Sequence, residues 1–119
     1  MAMIRFVLSG STNGKPIKVT GTATGSSVTV HTAVAGVEQT DQIFLWASNT
    51  SGTAATLTVE WGGTTDPDNL LVKAYSIAAN SAPVLVAQGI MLNGGLIVKA
   101  FAGTANVLNI VGYVHRHTR

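Results

Sequence analysis

Cysteine is absent from this chain. That removes thiol catalysis, disulfide frameworks and Cys-ligated zinc, and leaves the redox compartment open. Charge is scarce as well, at 10% of 119 residues, against about 25% in ordinary soluble domains. So weakly charged a surface has little to keep copies apart, which predicts that other subunits cover much of it. No segment reaches the roughly 18 consecutive apolar residues of a membrane helix, and the apolar stretch Ile4–Leu8 is too short for a signal-peptide core. The expectation is a protein used without classical secretion and without a membrane. Helix periodicity is missing too, which turns attention to strands.

The length is enough for one domain with a buried core, Met1 to Arg119, with no need of a disulfide or metal to fold. The net charge of +2 is too small to argue for nucleic acid. Its distribution is uneven. Glu38, Asp41, Glu60, Asp66 and Asp68 all fall between positions 38 and 68, and every Lys and Arg falls outside that window. Chance among so few charges gives such a pattern, and so does a polarity suited to packing on a partner.

β-Branched residues recur in short runs broken by Gly, Asn, Ser and Pro, the signature of an all-β domain. The runs predict strands near Ile4–Leu8, Ile17–Thr24, Ser27–Thr32, Gln42–Ser48, Ala54–Trp61, Leu70–Tyr75, Val84–Ala87, Ile90–Leu92, Leu96–Ala102 and Val107–His115. In "AATLTVEW" the residues Ala55, Leu57, Val59 and Trp61 alternate with Thr56, Thr58 and Glu60, which predicts one buried face and one wet or contacted face. "QIFLWAS" is apolar on both faces and reads as a central strand covered twice. Asn93-Gly94-Gly95 lies between two apolar runs and reads as a hairpin turn. The fold expected is a two-sheet antiparallel β-sandwich of jelly-roll or Ig-like type, with a closed barrel as the alternative. The Thr/Gly/Ser-rich stretch Ser9–Ser27 reads as its softest part, with a mobile loop or arm within residues 1–35.

Enzyme-like features are few. "GSTNGKP", Gly10 to Pro16, has its glycines one residue too close for a phosphate-binding loop, and Pro16 replaces the metal-binding hydroxyl. No Gly-x-Ser-x-Gly elbow is present, and His31 in "VTVHTA" has no acid beside it in sequence. The expectation is a protein that is not an enzyme and carries no cofactor. Asp66, Asp68 and Asn69 offer oxygens at calcium-loop spacings, but the chain then runs into "LLVKAY" without the remaining ligands. His115 and His117 would point the same way on a strand, where a trimer axis could gather them round an ion. Trp61 followed by "GGTTDPDN" loosely matches a sugar-binding edge. The plainer reading of "VEWGGTTDPDN" is a turn, ended by Gly62-Gly63 and stiffened by Pro67, whose acids and Trp61 serve as contact residues. Asn49-Thr50-Ser51 matches a glycosylation acceptor and reads as a turn between strands.

The phrases "NTSGTAATLTVEWGG", "IAANSAPVLV", "LNGGLIVKAFAGTAN" and "NIVGYVHR", within Phe44 to Arg116, resemble small β-sandwich virion proteins of tailed bacteriophages. The resemblance implies a capsid decoration (cement) protein without chemistry. It would be a homotrimer seated on the major capsid protein at the outer surface of the virion, assembled from the host cytoplasm. A tail or fibre component, or a carbohydrate-binding module, is the alternative. No site residue transfers with the resemblance. The candidate contacts come from the residues themselves: the basic termini, Met1 and Arg5 at one end and His115, Arg116, His117 and Arg119 at the other, with Trp61, Asp66 and Asp68 in the acidic loop. Neither nucleic acid nor a membrane is expected as a partner.

Overall fold

The computed structural model describes residues 2–118. Nine strands form: β1 Ala2–Val7, β2 Ile17–Lys18, β3 Val28–Thr32, β4 Thr40–Asn49, β5 Ala55–Trp61, β6 Leu70–Ile77, β7 Val84–Leu92, β8 Ile97–Ala102 and β9 Leu108–Thr118, with a single 3-10 turn at Thr24–Ser26. One sheet has the order β1-β9-β4-β7, with the short β2 continuing β1 along the same edge of β9, and the other has the order β3-β8-β5-β6. All pairings are antiparallel. The domain is a β-sandwich.

The strand order is that of a jelly roll. β1 pairs with β9, β3 with β8, β4 with β7 and β5 with β6, so the chain behaves as one long hairpin wrapped into two layers. Its tip is the connection 62–69, which joins β5 to β6 within one sheet. Apart from 8–16, which links β1 to β2 along one sheet edge, the other connections change sheets.

Alternation decides what lies between the layers. Along β4, Asp41, Ile43, Leu45, Ala47 and Asn49 are buried, and the residues between them are half-buried. Ile43 and Leu45 meet Leu57, Val59, Val98 and Ala100 of the opposite sheet in a single core. Burying each such aliphatic side chain contributes roughly 1.5–3 kcal/mol. Asn49 ends the row without a penalty, because its Nδ2 donates to the carbonyls of Thr53 and Ile77 at 2.9 and 3.1 Å. It is 1% exposed, so the glycosylation triplet is closed to modification in the folded chain. It does mark the turn between β4 and β5.

The structure corrects one expectation and decides two others. Asn93-Gly94-Gly95 is a tight turn, with Gly94 and Gly95 at φ of 70° and 71°, but it is not a hairpin. It carries the chain from β7 in one sheet to β8 in the other, held by Gly94 and Gly95 amides on the carbonyls of Gly36 and Val34. Turn residues set a reversal; they do not choose the strand's partner. The outer face of β5 is not wet, since Thr58 and Glu60 are buried. Thr58 Oγ1 accepts the Ala74 amide, and the segment after β2 crosses over Glu60. Finally, 84–87 and 90–92 are one strand, β7, which bends at bulges in its pairing with β4.

The stretch Ser9–Ser27 forms little regular structure but is tied down. Leu8 and Val19 are core residues, the Gly10 amide donates to Val30 and Val19 to Leu108. It closes one side of the sandwich by linking the β1/β2 edge to β3.

Gly112 in β9 shows how closely the central pair packs. A Cβ there would stand 2.0 Å from the carbonyl oxygen of Phe44. Gly112→Ala is therefore expected to lower stability by about 1–3 kcal/mol in urea unfolding. Gly52→Ala, where a Cβ meets nothing within 4 Å, should change it by under about 0.5 kcal/mol. Equal effects would mean the β4–β9 contact is looser than this.

Candidate functional site

Three places gather polar or aromatic side chains. The first is internal. His31 of β3 and Asp41 of β4 are both fully buried. His31 Nδ1 accepts the Ser9 amide at 3.1 Å, so its proton sits on Nε2, which donates to Asp41 Oδ2 at 2.8 Å. Arg116 grips the same carboxylate in a fork, Nε to Oδ1 at 2.7 Å and Nη2 to Oδ2 at 3.0 Å. The Val34 amide adds a bond at 3.1 Å, and the Arg116 guanidinium lies 4.6 Å over the Phe6 ring.

A serine, a histidine and an aspartate in one cluster suggest nucleophilic catalysis, and the bonding argues against it. Ser9 Oγ accepts the Thr32 amide at 2.7 Å, and it is the Ser9 backbone, not its hydroxyl, that meets the imidazole. A general base must reach the proton it removes, and this imidazole is sealed from solvent with both nitrogens engaged. The cluster is an inter-sheet clasp.

Its titration has a definite sign. Burial holds the His31 pKa below 6.5, outweighing the Asp41 carboxylate that favours the charged ring. Asp41 is pulled below 3.8, since the bonds and charges of Arg116 and His31 outweigh the burial that opposes them. In both cases the unfolded chain takes up protons first as pH falls, so stability is lost on acidification.

The second place is the outer face of the β1-β9-β4-β7 sheet. Opposed residues of neighbouring strands share a face, which gives rows across the sheet. One row is Met91, Gln42, His115 and Arg5; the next is Gln88, Phe44, Tyr113 and Val7; a third begins Leu85, Trp46, Val111. Phe44 stacks on Tyr113 with centroids 4.8 Å apart, Trp46 lies 5.8 Å from Tyr113, and His115 is 5.2 Å from both Phe44 and Tyr113. The Arg5 guanidinium sits 5.8 Å over Tyr113, and its Nε donates to His115 Nε2 at 3.0 Å. His117 Nε2 meets Gln42 Oε1 at 3.0 Å. Loss of hydration, then the charges of Arg5 and His117, lower the His115 pKa. Met3, Val7, Leu85 and Met91 around this aromatic strip are exposed.

The third place is the hairpin tip. Gly62, Gly63 and Thr64 form one hollow with Gly95, Leu96, Ile97 and Lys99. Glu60, Thr64 and Asp66 form another with the crossing segment. Asp66, whose peptide bond to Pro67 is cis, pairs with Lys73 at 3.0 Å on the surface.

The expected site residues therefore separate. Arg5, His115 and His117 come together on the outer sheet face, whereas Arg116 turns inward to the clasp. Met1 and Arg119 lie outside the described residues. Trp61 is not a free sugar-stacking edge: it is half-buried against the core, and its amide donates to Asn69. Asn69 Oδ1 is spent on the Thr65 amide at 3.1 Å, which takes it out of a calcium set with Asp66 and the exposed Asp68. Among the described residues, no group of three or more His, Cys, Asp or Glu side chains is placed to hold a metal ion. The charge polarity along the sequence is not kept in space, since Asp41 meets Arg116 and Asp66 meets Lys73. Sequence reading missed Phe44, Trp46 and Tyr113 as one patch. The available signal was the doubly apolar "QIFLWAS", but its partner strand could not be named. The chain matches no protein-family model, and no curated protein or solved structure shows significant similarity to it.

Asp41→Asn should cost about 3–5 kcal/mol, because it leaves the buried imidazole and the partly exposed guanidinium mispaired. In the wild type, unfolding free energy should fall as pH drops below 6.5 and again below 3.8, the ordinary values of the two groups. The upper limb should shrink in His31→Leu, leaving the part that the lowered His115 pKa contributes. Urea titrations between pH 8 and 3 measure both, and a profile unaltered by either substitution would remove the clasp as the cause.

Proposed function

We propose that this chain is a structural subunit of a bacteriophage virion: a decoration protein that binds the assembled coat lattice and reinforces it through protein contacts, without chemistry. The observation that carries the reading is the outer face of the β1-β9-β4-β7 sheet. Phe44, Trp46 and Tyr113 form a connected aromatic strip there, with Met3, Leu85 and Met91 exposed beside it. Aromatic residues, methionine and arginine are the types enriched at protein interfaces. Scattered apolar surface needs no explanation, but a contiguous patch does.

The surroundings of the strip suit a protein partner. Arg5 and His115 frame the rings, which offers donors at the rim of an apolar centre. β1 is the edge strand of the same sheet and pairs with the end of β9, so residues 2–7 and 113–118 stand beside the strip and can extend its contact. The jelly roll is also a fold of viral capsid and lectin domains. That is an argument by fold analogy and carries less weight than the patch. The phrase resemblance to small virion proteins of tailed phages points the same way. A lattice position adds one requirement that this surface meets: many identical weak contacts acting together replace a single strong one. We assign the coat lattice to this face and assembly of the proposed homotrimer to the remaining edges.

Copy number in purified particles, relative to the most abundant protein, is the direct measurement. A ratio near one to one supports the decoration role; a few copies per particle move the chain to the tail or a fibre, and its absence ends the virion reading. Particles lacking the protein should lose infectivity at lower temperature, and Trp46→Ser together with Tyr113→Ser should weaken lattice binding by at least about tenfold. Both side chains are half-buried in stacking contacts, so the thermal midpoint should fall, and binding is compared at a temperature where the double variant is folded. Undiminished binding by the double variant would exclude this face.

A further inference from the structure

The hairpin tip and the segment that crosses the β3-β8-β5-β6 sheet border an open cavity of about 250 Å³. Glu60 and Asp66 supply carboxylates to its wall, Thr24 and Thr64 hydroxyls, and Leu70 and Phe101 apolar surface. We propose that this cavity binds a primary ammonium group carried on a short apolar stem, the chemistry shared by a free alkylamine and a lysine side chain.

Glu60 is the reason. It sits on β5, paired on both sides by β6 and β8, and is 1% exposed. The Thr24 hydroxyl donates to Oε2, while Oε1 is buried with no hydrogen-bond partner. A buried carboxylate oxygen without a donor is uncommon and costly. Rotation about the terminal torsion of glutamate is soft, so either oxygen can be turned to a ligand in the cavity.

The charges around it select the ligand. Asp66 already shares Lys73. Lys99, opposite Glu60 in the strand register, lines the neighbouring hollow and forms no ion pair with Glu60 among the described residues. The Glu60 carboxylate, with Lys99 as its cross-strand neighbour, therefore has no ion-pair partner within 4.0 Å among the described residues. An anion would be repelled. Calcium takes six to eight oxygens, and no cluster of three or more His, Cys, Asp or Glu side chains suited to a metal is found among the described residues. A neutral sugar supplies donors but leaves the carboxylate's charge uncompensated in a buried place. An ammonium supplies both the charge and three donors, which Glu60, Thr64 and Asp66 can accept, and its stem can lie along Leu70 and Phe101.

The test uses the full chain and amide-resolved NMR titration with n-butylammonium. Isosteric 1-butanol, butyrate and methyl glucoside serve as neutral, anionic and sugar controls, and Nα-acetyl-lysine-N-methylamide as the peptide form. The expected result is saturable shifts confined to the surroundings of Thr24, Glu60, Thr64 and Phe101 with the two ammonium probes. Affinity should be about tenfold weaker in Glu60→Gln. The tighter of the two probes assigns the source, a free amine or a protein lysine. Should Glu60→Gln fail to fold, Thr64→Val on the loop should still weaken binding about fivefold. No saturable shift with either ammonium, equal response to butanol or methyl glucoside, or wild-type affinity in a folded Glu60→Gln or Thr64→Val would each overturn the proposal. It stands independently of the virion reading.

Discussion

The carboxylate of Asp41 is the point on which both sheets depend. It has no contact with water, yet it accepts from β3, from β9 and from the loop before β4. A lone buried charge would cost many kcal/mol, and the forked Arg116 and the neutral His31 bring that cost down by satisfying both oxygens. Directionality follows. Aliphatic contacts between the layers would tolerate a shift of one sheet over the other, whereas this set of bonds is met in one register only. Placing Asp41, His31 and Arg116 together fixes β3, β4 and β9, and with them the strands paired to each.

From that fixed frame, the two faces of the front sheet take opposite roles. Inward, β4 contributes Ile43, Leu45 and Ala47 to the core. Outward, the same strand presents Phe44 and Trp46, whose cross-strand neighbours on β9 are Tyr113 and Val111. Because alternation is strict along a strand, inward order dictates outward order, and the aromatic strip is as rigid as the core beneath it. A preorganised apolar surface gives up little side-chain freedom when covered. The edge strand β1 belongs to this surface through Arg5.

The back sheet is organised differently. Its outer face is overlaid by the chain between β2 and β3, and the hairpin tip 62–69 folds beside that cover. Here polar groups are enclosed and not displayed: Thr58 and Glu60 sit under protein, and the two hollows flank Thr64. One face is thus suited to a macromolecule and the opposite end to a small group, a division that follows from where the covering segment runs.

The sequence by itself determined the class of fold and most of the strands. Period-two alternation in "AATLTVEW", turn residues at regular intervals and the lack of helix periodicity are local properties, and local sterics enforce them. It also marked "QIFLWAS" as apolar on both faces, and Gly62-Gly63 as the end of a strand. Pairing partners were decided only in three dimensions. Asn93-Gly94-Gly95 looks like a hairpin and joins two sheets; His31 finds its acid ten residues away, across the sandwich; Trp61, a candidate contact residue, packs on the core, while Trp46 faces outward. Residues far apart in sequence carry no mark of their contact, because hydrogen-bond and stacking partners are selected by which strands lie side by side, and that is settled by the packing of the whole chain.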